Sequence, residues 1–140
     1  MLLLVESIID KPSPVRRALV PGKPTRTEIV GWRTRLLPGA EELYSRVHSR
    51  LADPIASALR SAGVVQWRIW RDGQTLFHMI ETTRGRDEMG RKMAALGPID
   101  PDWDALIATL IDPSEDASAL LPLVWGMDGT TQMSDPLPHT

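Results

Sequence analysis

The spacing of hydrophobic and polar positions predicts three strands in the first part of the chain. Residues 28–36 (EIVGWRTRL) and 64–71 (VVQWRIWR) alternate with a period of two and are rich in β-branched and aromatic side chains, as strands usually are. Asp72-Gly73 is a strong hairpin signal. Residues 74–82 (QTLFHMIET) are therefore expected to return as the neighbouring antiparallel strand.

Helical spacing predicts one long helix before the second strand and a second helical region after the hairpin. The first helix opens after Leu37-Pro38-Gly39 and runs to Ala62, with Pro54 expected to kink it. The second region is broken at Gly97-Pro98 and resumes at Asp100, a residue type that caps helices.

A last strand, at residues 119–127, completes the order β-α-β-β-α-β. This is the order of the ferredoxin-like fold, an α+β arrangement in which helices cover one face of an antiparallel sheet. No predicted element remains to cover the other face. Because exposed apolar sheet faces usually mark interfaces, we expect a second copy of the chain to cover it and the protein to be a homodimer.

Composition divides the chain into one domain and two flanking segments. Residues 1–26 carry four prolines and five basic residues against two acidic ones, so we expect a flexible N-terminal extension. Residues 27–127 form the expected domain, and residues 128–140 are expected to be a polar C-terminal tail. The chain has no cysteine, which excludes disulfides and thiol chemistry and fits the reducing cytoplasm, where we expect the protein.

Charge and motif content exclude several classes of function. The net charge is −2 and the basic residues are scattered, which argues against nucleic-acid binding. No apolar run approaches the roughly 20 residues that span a membrane, and no signal peptide is recognisable. The sequence has no phosphate-binding glycine loop, no nucleophile elbow and no metal-ligand spacing, so we expect no bound metal.

Tyr44 and His48 are the most promising residues for chemistry. They are four positions apart on the first predicted helix and therefore share a face. That face continues into the apolar positions that meet the sheet. A phenol and an imidazole pointing inward can form a site for proton transfer, although a buried structural histidine with one satisfied hydrogen bond gives the same pattern.

Trp67 and His78 are expected to face the helices together. A two-residue turn at Asp72-Gly73 places Trp67 directly opposite His78 in the predicted hairpin. The other members of this face are mostly apolar: Val65, Ile69, Leu76 and Ile80. For the tryptophan taken alone, packing in the core is the alternative.

Four short motifs resemble the L-rhamnose mutarotase family. Residues 42–48 (ELYSRVH) are similar to its Tyr-x-x-x-His helix, and 63–72 (GVVQWRIWRD) to its aromatic strand ending in Asp. Residues 76–81 (LFHMIE) resemble its Leu-Phe-Ala-Met-Val-Glu strand. Asp102-Trp103 stands where the family has two tryptophans. The resemblance covers about residues 28–127.

This resemblance implies a dimeric α/β barrel that interconverts the α and β anomers of a pyranose without a cofactor. It places His48 as the catalytic proton donor, and it places the substrate monosaccharide against a larger set of residues. That set comprises Tyr44, Trp67, Asp102 and Trp103, and the predicted strand pairing adds His78 beside Trp67. Trp67 replaces a tyrosine of the family's sugar site, Asp102 replaces a tryptophan, and His78 replaces a small residue.

Two further readings remain open at the level of sequence. A cofactor-independent oxygenase-like enzyme would use the same dimeric barrel, and a non-catalytic ligand-binding dimer would use His48 only for packing. Asp102 and His78 add polar groups to the expected pocket. From them we predict a sugar with an extra or differently placed hydroxyl relative to L-rhamnose.

Overall fold

The structure is a computed structural model that describes residues 27–136. The predicted extension at residues 1–26 lies outside this range. In chain order the elements are β1 (Glu28–Arg35), α1 (Glu41–His48), α2 (Asp53–Ser61), β2 (Val64–Asp72), β3 (Thr75–Thr82), α3 (Arg86–Leu96), α4 (Pro101–Ala108), a 3-10 turn (Glu115–Ala117), β4 (Ala119–Leu121), β5 (Gly126–Met127) and β6 (Gln132–Met133).

Four strands form one antiparallel sheet in the order β2-β3-β1-β4. Its alternating side chains separate an inner face, covered by the helices, from an outer face. Trp32, Leu76 and Ile80 are fully buried on the inner face and pack with Ile55, Met89 and other apolar residues of the helices. The α+β, ferredoxin-like fold predicted from the sequence is confirmed.

The β2–β3 hairpin turns at Gly73–Gln74, one position later than predicted. Asp72 pairs with Thr75, so Ile69 lies opposite His78 and Trp67 lies opposite Ile80. Gly73 adopts φ 58°, a conformation that glycine tolerates well. Because the pairing moved by two residues, Trp67 and His78 still share the inner face.

A β-bulge between Val64 and Gln66 changes the face of the sheet on which Val65 lies, so the prediction for this residue was wrong. A bulge inserts an extra residue and locally interrupts the alternation of side chains. Val65, expected to face the helices, is consequently 52% exposed, whereas Val64 packs against the core.

The long helix predicted up to Ala62 is two helices. Helix α1 ends at His48, and Pro54 lies in the first turn of α2 rather than at a kink. Proline lacks an N–H and its ring clashes with the preceding turn, so it is tolerated in a first turn and not in a helix interior. Ala52, the residue before α2, is extended, with ψ 142°.

The C-terminal part of the described chain departs from the prediction of one strand at 119–127. Pro122 cannot donate to a sheet, and β4 ends before it. The chain then forms the small β5–β6 hairpin, whose turn is held by the Asp128 carboxylate accepting bonds from Thr130 and Thr131. The described part of the expected tail therefore contains strand β6.

Candidate active site

A cavity of about 470 Å³ opens where α1 meets the inner face of the sheet. Two groups of residues line it: the end of α1 with the segment that follows, and the inner face of β2 and β3. They are Tyr44, Ser45, His48, Ser49, Arg50, Leu51, Trp67, Ile69, Arg71 and Leu76. Three of the residues singled out from the sequence, Tyr44, His48 and Trp67, thus line one cavity.

Tyr44 and His48 stack on each other along the inner side of α1. Their ring centroids are 3.9 Å apart and the planes are inclined by 25°, as expected for residues four positions apart on a helix. Trp103 of α4 approaches the His48 ring edge-on, with centroids 5.2 Å apart. The imidazole is therefore held between two aromatic side chains.

The two ring nitrogens of His48 have different surroundings. Nδ1 lies 3.0 Å from the backbone carbonyl oxygen of Tyr44. A carbonyl only accepts hydrogen bonds, so Nδ1 carries the proton in the neutral ring and Nε2 keeps its lone pair. Burial lowers the pKa of His48 below its ordinary value, and the bond to the Tyr44 carbonyl opposes part of that effect. At neutral pH the ring is mainly neutral.

The Tyr44 hydroxyl is buried and has no hydrogen-bond partner among the residues that the structure describes. Burial raises the pKa of this phenol well above its ordinary value, so it remains protonated at neutral pH. An unpaired buried hydroxyl costs about 1–3 kcal/mol. A ligand oxygen that accepts from Tyr44 would remove this cost.

His78 lies on β3 behind the cavity wall and not in it. The side chain is 3% exposed. Trp67 donates from Nε1 to His78 Nδ1 over 3.1 Å, and His78 Nε2 lies 3.0 Å from Thr34 Oγ1. Burial is the main cause that lowers the pKa of His78, to about 3. The ring is neutral, and both of its nitrogens are already bonded.

Asp102 also lies away from the cavity. It is exposed in the first turn of α4, where negative charge suits the helix dipole, and it is not among the lining residues. The expectation that Asp102 and His78 line one pocket is thus corrected. The prediction of an extra substrate hydroxyl loses its basis as well, because neither residue offers a polar group to this cavity.

Sequence reasoning missed four polar residues of the cavity lining, which are Ser45, Ser49, Arg50 and Arg71. Arg71 follows Trp67 and Ile69 at strand spacing, so the period of two already placed it on their face. Its guanidinium donates to Ser45 Oγ over 3.2 Å and so joins β2 to α1. Arg50 lies in the break between α1 and α2, which the prediction of a continuous helix concealed.

Within residues 27–136, no group of three or more histidine, aspartate or glutamate side chains could hold a metal ion. No helix in the same range is long and apolar enough to cross a membrane.

The chain is similar to known proteins both in sequence and in fold. A family model described as L-rhamnose mutarotase matches residues 30–127. The fold is similar to the crystal structure of an L-rhamnose mutarotase from Formosa agariphila, with a TM-score of 0.57 and 22% sequence identity. That alignment covers 72% of this chain and 99% of the other. No curated protein sequence matches the chain.

Proposed function

Because this chain belongs to the L-rhamnose mutarotase family, we propose that it interconverts the α and β anomers of L-rhamnose or a related pyranose in the cavity beside His48. The activity is that of a sugar mutarotase, an isomerase acting on carbohydrate. The matched residues 30–127 include all those that line the cavity. The match supports neither an oxygenase-like enzyme nor a non-catalytic binding protein.

Mutarotation transfers protons while one bond breaks and re-forms. The anomeric hydroxyl loses a proton and the ring oxygen gains one as the C1–O5 bond breaks, which gives the open-chain aldehyde. Rotation about C1–C2 and the reverse steps then close the other anomer. Electrons are neither gained nor lost by the sugar, so the protein has to supply only an acid and a base.

His48 is the group that we assign to proton exchange, and Nε2 is the atom. The observation that carries the assignment is the bond between Nδ1 and the Tyr44 carbonyl oxygen. It fixes the ring on α1 and leaves the lone pair of Nε2 to take up a proton, which the resulting imidazolium then gives to the ring oxygen. A histidine can serve in both states near neutral pH.

Tyr44, Trp67 and Trp103 are assigned to sugar binding. The neutral phenol of Tyr44 donates to a sugar oxygen, which supplies the partner that its buried hydroxyl lacks. The aromatic faces of Trp67 and Trp103 pack against the apolar C–H side of a pyranose. Asp102 is exposed and receives no sugar contact in this proposal.

Exchange NMR on a panel of aldoses, with L-rhamnose as the reference, tests the function. The protein should shorten the α/β exchange time of one or more of these sugars at catalytic concentration. His48→Gln and His48→Asn should each lower the rate by about 100- to 10,000-fold. His48→Asn is the sharper variant, because its amide can still donate to the Tyr44 carbonyl while Nε2 is gone.

Both variants should melt close to the wild-type temperature. An unchanged exchange rate in a folded variant would reject His48 as the proton-transfer group. A large loss of stability in both would identify His48 as a structural residue of the core.

A homodimer is the second part of the proposal. The outer sheet face carries Ile29, Trp70, Phe77 and Leu121, all at least 39% exposed. Arg33 and Arg68 lie on the same face as Glu81, so a second copy related by a twofold axis offers both apolar contacts and opposite charges. The face is therefore suited to its own copy.

Light scattering on a size-exclusion column tests this dimer. Trp70→Ser combined with Phe77→Ser, two residues directly opposite each other, should give a monomer. Val124→Ser is the control, because Val124 is 87% exposed and lies outside the sheet, and it should leave the dimer intact. A monomeric wild-type protein at micromolar concentration would contradict the proposal.

The cytoplasm is the proposed location. A chain without cysteine suits a reducing compartment. Cell fractionation with an antibody against the protein tests this part independently of the chemistry.

A further inference from the structure

The hydrogen bonds of His78 extend from the sheet core to the wall of the cavity. The Trp67 indole lines the cavity and donates to His78 Nδ1 over 3.1 Å. On the other side of the imidazole, Nε2 meets Thr34 Oγ1 at 3.0 Å. The ring of His78 also packs on that of Trp32, with centroids 4.4 Å apart. Trp32 is itself tied to Ser118 Oγ over 2.8 Å.

The donor of the first bond settles the tautomer of His78. An indole Nε1–H can only donate, so Nδ1 must accept. A neutral imidazole has one acceptor and one donor nitrogen, which leaves Nε2–H to donate to Thr34. Burial keeps the ring neutral. His78 therefore has no free nitrogen with which to bind a sugar or move a proton.

We propose that His78 is a positioning residue that fixes the Trp67 indole in the cavity wall and so sets the affinity for the sugar. This inference rests on the proposed function, because Trp67 acts there as a sugar-binding face. A tryptophan held by its Nε1–H keeps one orientation before the sugar arrives, and less rotational freedom is lost on binding. Without the bond, the half-buried indole can turn away from the cavity.

Two isosteric variants separate the two bonds of His78. In His78→Asn the amide oxygen can stand where Nδ1 accepts from Trp67, while the group near Thr34 is lost. In His78→Gln the amide reaches the position of Nε2 near Thr34, while the acceptor for Trp67 is lost. Both variants place an amide in the same buried site, so a general structural effect should be similar in the two.

The expected result is a split between KM and kcat. His78→Gln should raise KM for L-rhamnose by about 5- to 10-fold, the worth of one neutral hydrogen bond, and change kcat by less than about twofold. His78→Asn should bring KM back toward the wild-type value. Equal KM values in the two folded variants, or a fall confined to kcat, would overturn the inference.

NMR of the protein without sugar provides a readout that does not depend on catalysis. In ¹⁵N-labelled wild-type protein, His78 should carry its proton on Nε2 and have an unprotonated Nδ1. The Trp67 Nε1–H resonance should move in His78→Gln and stay closer to wild type in His78→Asn. A protonated Nδ1 in the wild type would refute the positioning role even if neither variant folds.

The same data distinguish this inference from the proposed function. If the wild-type protein accelerates no anomer exchange, the mutarotase assignment fails, while the NMR spectra still report whether His78 holds Trp67. If exchange is fast and depends on His48 but the Trp67 resonance is the same in both variants, only the role of His78 fails.

Discussion

The C-terminal end of α1 and the middle of β3 present the same imidazole ring in two different states. His48 has one nitrogen on a backbone carbonyl and the other without a bond among the described residues. His78 has both nitrogens bonded to side chains. Burial lowers the pKa of both rings. The direction of the pKa shift therefore does not distinguish the two rings. A ring can exchange a proton with a ligand only if one of its nitrogens has no other partner, and of these two rings only His48 meets that condition among the described residues.

The largest expected effect that tests this comparison is the pH dependence of the protein's stability that arises from His78. Burial lowers the pKa of His78 from its ordinary value of 6.5 to about 3 in the folded protein. As the pH falls below 6.5, the unfolded chain takes up a proton that the folded protein refuses. The free energy of unfolding should then fall by about 1.4 kcal/mol per pH unit toward pH 3.

Urea unfolding of wild type and His78→Gln at pH 6.5 and 4.5 measures this effect. The wild type should lose about 2–3 kcal/mol more than the variant over this interval. His48 is present in both proteins, so its own titration cancels. Equal losses would mean that His78 accepts a proton in the folded state, and the contrast with His48 would disappear.

Thr34→Val should cost about 1–3 kcal/mol of stability, because it leaves the buried Nε2–H of His78 without an acceptor. Valine has nearly the shape of threonine, so packing changes little. Denaturant unfolding measures the loss. As a control, Thr34→Val in a His78→Leu background should cost far less, since no donor remains there. A full loss in that background would assign the effect to Thr34 alone.

Tyr44→Phe should act in the opposite direction. It removes a buried hydroxyl that has no partner among the described residues, so stability should stay the same or rise by about 1 kcal/mol. Binding of L-rhamnose should weaken in the same variant, because the donor to the sugar is lost. Thermal melting and calorimetric titration check the two parts. A clear loss of stability would show that the hydroxyl is already satisfied in the free protein.

Ser118→Ala should have the smallest effect, a loss of about 0.5 kcal/mol. It removes the acceptor of the Trp32 Nε1–H bond, but Ser118 is only half-buried and water can take its place. The Trp67 resonance should hardly move, because two further side chains separate it from Ser118. A shift as large as that of His78→Gln would mean that the bonds respond as one rigid unit.

How far the sequence predicts this site depends on which regularity places each residue. Tyr44 and His48 follow from helical spacing. The shared face of Trp67 and His78 follows from strand alternation, and it was predicted correctly because the error in the strand pairing was two residues, an even number that leaves the face unchanged. The contacts of His78 with Thr34 and Trp32 could not be predicted, because both residues belong to β1, which lies next to β3 in the sheet but more than forty residues earlier in the chain.

The predictions that were wrong concern points where local signals compete. The segment around Pro54 has helical spacing on both sides, and only the position of the proline within a first turn divides it into two helices. Val65 alternates correctly in sequence, but the bulge turns it outward. Asp102 stands where a sugar-binding residue is expected, whereas its place in the first turn of α4 leaves it exposed.

The break between α1 and α2 makes His48 the last residue of a helix. Carbonyl groups at the end of a helix point out of its last turn and carry a partial negative charge, which stabilises a positive group placed there. An imidazolium formed at His48 in the proposed reaction would therefore arise at the negative pole of α1. In an uninterrupted helix the same histidine would lie beside carbonyls that are all hydrogen-bonded. The break between the two helices thus gives the His48 ring a position in which a positive charge would be stabilised.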